Sequence, residues 1–159
     1  MKNKHILVII MLLLTGCSSL NFDKNIENNY IDSSKCEINM IQDWQKYEVY
    51  KYDSSYDEKF INSDRYVIVD DNNIDEIREL FNYMEDIMKD TKCSFTFDYS
   101  SITKGNYVRI ERPEQYYIEL ERECDKDNFD DNICYYEHEF TVYLYDIDSH
   151  ILYVIKNNI

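Results

Sequence analysis

The sequence predicts an α+β domain, a mostly antiparallel sheet of about five to seven strands with one amphipathic helix, about 73–89, packed on it. Three observations predict this. One stretch repeats its apolar residues at helical spacing, several short runs alternate apolar and polar side chains, and 159 residues suit a single domain.

The elements follow in chain order. Gln45 to Tyr52, with Tyr47, Val49 and Tyr50, is a first candidate strand, and Arg65 to Asp70 (RYVIVD) is a compact β-branched run. Asp71 to Lys89 is the helix: Ile74, Ile77, Leu80, Phe81, Met84, Ile87 and Met88 form one apolar stripe. Asn73 with Glu76 three residues later resembles a capping box. Asp75, Arg78, Glu79, Glu85 and Asp86 line the wet side, and Glu85 stands four residues before Lys89 as a favourable pair. Ser94 to Tyr99 alternates Phe95 and Phe97 with polar residues, and Tyr107 to Glu111 carries Val108 and Ile110. Tyr116 to Cys124 and Cys134 to Tyr145 each gather apolar residues on one face, and Asp146 to Ser149 turns the chain into a closing strand, Ile151 to Lys156. Such alternation describes a sheet covered on one side.

Composition narrows the function. With 32 acidic and 17 basic side chains the formal charge is −15, so the chain lacks the positive charge to neutralise a phosphate backbone and nucleic acid is excluded as a partner. The wealth of asparagine and of tyrosine (16), with two glycines, one proline and no alanine, is what an AT-rich genome writes, so it does not by itself indicate a glycan-binding tyrosine face.

The first residues carry the most specific signal. Lys2 and Lys4 precede an unbroken apolar run from Ile6 to Leu14, and Leu14-Thr15-Gly16-Cys17 follows at once. All four positions resemble the lipobox of bacterial lipoproteins. The resemblance implies a signal peptide at 1–16, cleavage after Gly16, and diacylglycerol and acyl chains such as palmitate on Cys17, which then anchors the chain in a membrane. Ser18 resembles the outer-membrane-directed class, so the lipid-anchored domain is expected to face the periplasm. Loss of the leader removes two lysines and no acid, which takes the formal charge from −15 down to −17. Residues 17–35 are polar and are expected to form a tether, with one globular domain over 36–159.

Four further cysteines, Cys36, Cys93, Cys124 and Cys134, suit two disulfides in an oxidising compartment, with three connectivities open. A hairpin of 116–124 with 134–145 that places Cys124 opposite Cys134 also sets Ile118 against Phe140. It would clip the nine-residue loop DKDNFDDNI, leaving Cys36 to pair with Cys93.

Glu137-His138-Glu139 cannot chelate one ion from a strand, because the histidine points opposite to the two acids. The acids around Asp125 and Asp71 lack the EF-hand pattern, and no nucleophile elbow or phosphate-binding glycine loop is present. No cofactor and no metal ligand set is therefore assigned. The expected function is non-catalytic recognition of another protein, basic in charge, as by an immunity or inhibitor lipoprotein that neutralises a cationic toxin or cell-wall enzyme. Its binding surface would be Glu119, Glu121, Glu123, Glu137 and Glu139 on one strand face, with Asp130 and Asp131 in the loop. The alternatives are a structural or assembly-accessory envelope lipoprotein, and an enzyme whose site lies near His138 or His150.

Overall fold

The computed structural model describes residues 30–39, 44–89, 91, 95, 97–114 and 139–158. Among these residues six strands form one sheet: β1 Asp32–Asn39, β2 Trp44–Lys51, β3 Val67–Ile68, β4 Tyr107–Glu111, β5 Phe140–Asp146 and β6 Ile151–Asn158. Their order is β1-β2-β6-β5-β4-β3, and every neighbouring pair is antiparallel. Among the described residues two helices accompany them, α1 Asp57–Ile61 after a 3₁₀ turn at Ser54–Tyr56, and α2 Ile74–Met88. The α+β class is as expected, and the strand count falls within the expected range.

Both faces of the sheet are packed, where one was expected. On the first face Ile77, Phe81, Met84 and Met88 of α2 meet Val108, Phe140, Val142, Leu144 and Ile155. On the second, Phe60 of α1 packs with Tyr50, Tyr52, Tyr143, Tyr145, Leu152 and Val154. All seven residues of β5 are consequently buried. Tyrosine abundance, set down to codon usage, here also fills a second core.

Several local expectations are corrected. β1 starts at Asp32, so residues 32–35 belong to the sheet rather than to the tether. The Arg65 to Asp70 run contributes only Val67 and Ile68 to the sheet, because the chain leaves it to begin α2. Asn73 does not cap α2 with its side chain. Its Oδ1 accepts from the Asp70 N–H at 3.0 Å and its Nδ2 donates to the Ile68 carbonyl at 3.0 Å, tying the end of β3 to the helix start. Lys89 pairs with Asp86 at 3.2 Å, while Glu85 accepts a hydrogen bond from the Tyr99 hydroxyl at 2.7 Å. Phe95 and Phe97 lie outside any strand; they pack on Tyr47 and on Phe81 and Tyr153. Asp98 then starts a 3₁₀ turn, Tyr99–Ser101, by accepting from the Ser100 N–H at 2.9 Å.

Of the expected hairpin of 116–124 with 134–145, residues 139–145 are described. Ile110 and Glu111 of β4 occupy the edge of Val142 and Thr141, and β6 takes the other edge. The remainder of that hairpin lies outside the described residues.

Candidate functional site

Most residues expected to carry function, Cys17, Cys93, Glu119, Glu121, Glu123, Cys124, Asp130, Asp131, Cys134, Glu137 and also His138, lie outside the described residues. Two are placed. Cys36, on β1, is disulfide-bonded, and its partner lies outside the described residues. Glu139 stands immediately before β5, partly buried, and burial raises its carboxyl while Lys156 opposes that shift. It is thus a desolvated carboxylate beside a lysine rather than a fully exposed acid.

Lys156 belongs to a charged half of the second sheet face, where the register sets Lys46 directly opposite it. Its ammonium sits 4.3 Å from the centre of the Trp44 ring. Burial lowers its affinity for a proton, Glu139 opposes this, and Lys46 adds to it. Alongside, Glu48 is fully buried, with the Lys35 and Lys46 ammonium groups 3.1 and 3.0 Å from its Oε1. Those approaches are ion pairs by distance, and neither carboxylate oxygen engages in a directed hydrogen bond. Arg109 pairs with Glu111 and lies 4.8 Å from the Tyr143 ring centre. Glu111, Arg112, Glu139, Thr141 and Lys156 line a shallow cleft of about 100 Å³. That volume is well below the several hundred Å³ of a pocket for a drug-sized ligand and suits at most a small ion or a single side chain.

A second cluster joins residues far apart in the sequence. His150 Nδ1 lies 3.0 Å from Asp57 Oδ1, and the Tyr145 hydroxyl donates to the same oxygen at 2.5 Å. Burial, then the bond to Asp57, holds the Tyr145 hydroxyl far above its ordinary range. His150 ends the β5–β6 turn in a left-handed conformation, φ 57°, and its carbonyl accepts from the Tyr52 N–H at 2.9 Å. An imidazole held by a carboxylate is an oriented proton acceptor in chemical terms. Here it also clamps α1 to the hairpin, because Asp57 opens that helix. Sequence reading named His150 but had no signal for Asp57, which stands 93 positions away.

The solvent side of α2 is the strongest acidic feature that the structure positions. Asp75, Glu76, Glu79, Glu85 and Asp86 are all exposed along it. Three of them carry surface ion pairs, Asp75 with Arg78, Asp86 with Lys89 and Glu76 with Arg112. Among the described residues no group of three or more His, Cys, Asp or Glu side chains could hold a metal ion, and no helix is long and apolar enough to cross a membrane.

Fold and clusters together define a small, strongly acidic α+β protein with an antiparallel sheet packed on both faces. No protein-family model, curated protein or solved structure matches the chain.

Proposed function

We propose that the chain is a lipid-anchored envelope protein, held through Cys17, whose domain faces the periplasm and binds another protein without catalysis. Its target is a cationic toxin or cell-wall enzyme, which it neutralises. The observation that carries the reading is the acidic side of α2, five exposed carboxylates presented by a helix whose opposite side is locked into the core. Among the described residues Glu79 and Glu85 carry no ion pair, and the other three carboxylates are paired with Arg78, Lys89 and Arg112. A rigid surface of net negative charge steers an oppositely charged partner and costs little ordering on binding. Glu119, Glu121, Glu123, Glu137, Asp130 and Asp131 add to the negative charge by sequence.

Export is supported by the disulfide at Cys36. Phe95 packs 4.6 Å, ring to ring, on Tyr47, the cross-strand neighbour of Cys36. This favours Cys93, two residues from Phe95, as the bonding partner, with Cys124 and Cys134 forming the second bridge.

The test is capture. The chain, immobilised with its disulfides intact, is exposed to periplasmic and secreted proteins at ~0.15 M and ~0.5 M salt, conditions that screen exposed charges differently. A single basic protein, retained in stoichiometric amount and weakened by salt, supports the reading. Retention of large envelope assemblies alone favours the structural-accessory alternative.

One observation favours the enzyme alternative: His150, the second of its two candidate histidines, stands beside the Asp57 carboxylate. An activity abolished by His150→Ala in a chain that still folds would establish it.

A further inference from the structure

Lys156 differs from the lysines at the surface of the fold. Lys35, Lys46, Lys89 and Lys104 each lie within ion-pair distance of a carboxylate. Lys156 is partly buried and lines the shallow cleft, with its ammonium over the Trp44 ring; among the described residues it makes no ion pair and donates no hydrogen bond. The register sets Lys46 opposite it on β2 and Thr141 opposite it on β5, with Glu111 beyond Thr141 on β4. Glu139, two positions before Thr141, lines the same cleft, as does Arg112. We propose that Lys156 is a covalent capture site for small aldehydes, its amine condensing with the carbonyl inside the cleft to an iminium, with Glu139 as the proton carrier.

A lysine attacks a carbonyl only as the neutral amine, and desolvation or a neighbouring cation supplies that form. Both act here, because burial and then Lys46 weaken the hold of Lys156 on its proton, against the opposing pull of Glu139. Burial acts on Glu139 in the complementary sense and favours its protonated carboxyl. The pair is thus arranged to pass a proton from nitrogen to oxygen and back. The cleft, about 100 Å³, limits the substrate to an aldehyde no larger than a side chain.

The reaction balances without an oxidant or a reductant. The Lys156 ammonium gives a proton to the Glu139 carboxylate. The freed lone pair attacks the carbonyl carbon, a C–N bond forms, and the C=O π bond breaks towards oxygen. A second proton moves from nitrogen to that oxygen to give the carbinolamine. The Glu139 carboxyl then protonates the hydroxyl, the C–O bond breaks and water leaves. The iminium carries the same single positive charge as the ammonium it replaces, and the face of the Trp44 ring stabilises either cation.

Reductive trapping tests this. The full chain, exported and extracted in nonionic detergent, is treated with limiting acetaldehyde and cyanoborohydride at about pH 7, where exposed lysines are almost wholly protonated. Cyanoborohydride delivers a hydride to the iminium and leaves an N-ethyl group, which peptide mass spectrometry counts at each lysine. Lys156 is expected to react at least about tenfold faster than the exposed Lys59 and Lys104. The preference is expected to vanish with benzaldehyde, which is too large for the cleft. Glu139→Gln removes a charge that favours the ammonium, so charge alone would speed the reaction. Loss of the proton carrier is expected instead to slow it at least about tenfold, with Lys59 and Lys104 unchanged. If Glu139→Gln fails to fold, Glu139→Asp must be slowed at Lys156 alone. A wild-type Lys156 no faster than Lys59 and Lys104, an equal preference with benzaldehyde, or a folded Glu139→Gln chain that reacts as fast as wild type would each overturn the proposal.

Discussion

Replacing Phe60 should show whether the second face of the sheet holds a true core. Phe60 is the one buried residue of α1 and has no exposed surface. Its ring stacks on Tyr145 at 3.6 Å and 8°, and meets Tyr52 and Tyr66 edge-on at 5.6 and 5.3 Å. Truncation to alanine removes the transfer free energy of the ring and leaves a cavity, about 3–5 kcal/mol together. The lost aromatic geometry accounts for about 0.5–1.5 kcal/mol per well-oriented pair. Because Asp57 on the same helix accepts from Tyr145, loosening α1 also weakens that bond. A loss of this size is a large part of the roughly 5–15 kcal/mol that holds such a domain together. Phe60→Leu keeps most of the volume and should cost roughly 1–1.5 kcal/mol. Urea unfolding followed by far-ultraviolet circular dichroism reads both as shifts in midpoint at unchanged slope. A Phe60→Ala midpoint within about 1 kcal/mol of wild type would refute the second core, since full burial of such a ring is worth more than that.

Three further outcomes follow from the same structure. Tyr47 and Tyr145 are buried, and burial raises both hydroxyls above their ordinary value of 10.0. A raised value in the fold means stability is whole below pH 10 and falls above it, as the unfolded chain ionises first, by about 1.4 kcal/mol per pH unit for each hydroxyl held neutral. The part of the tyrosinate absorbance that belongs to these buried rings should therefore rise together with loss of circular dichroism; ionisation of all sixteen tyrosines in a chain that keeps its circular dichroism would contradict this. Removing Lys35 and Lys46 together strands the Glu48 carboxylate, so Lys35→Ala/Lys46→Ala should cost about 3–5 kcal/mol and Glu48→Gln distinctly less, by thermal or urea unfolding. Cys17→Ser should abolish incorporation of labelled palmitate and release the chain from the membrane fraction; a labelled Cys17→Ser chain would remove the lipid anchor from the account.

The sequence showed most plainly those elements whose burial is one-sided and long. α2 was legible because fifteen residues keep one stripe in the core. β2, β4, β5 and β6 were legible because β-branched and aromatic residues recur along them. β1 was not, because an edge strand buries little: Cys36 and Ile38 alone pack partly against the core, and the rest looks like a tether. α1 escaped because five residues with one buried ring have no period to detect. The Phe95 and Phe97 alternation misled, since two rings can reach the core from a non-strand segment that Asp98 then turns away. Of the candidate sites, the acidic side of α2 was visible as the wet half of a periodic helix. The Asp57–His150 contact was invisible, because only the folded β5–β6 turn and α1 bring the two together.

The central claim, recognition of a cationic protein through a fixed acidic surface, is tested most directly by reversing charge on α2. Affinity for the captured partner is measured at two salt concentrations for the wild-type chain and for Asp75→Lys/Glu79→Lys, two exposed positions whose replacement leaves the buried stripe intact. Weaker binding and a shallower salt dependence are expected for the variant, with the fold unchanged. Equal affinity and equal salt dependence in a correctly folded variant would contradict it.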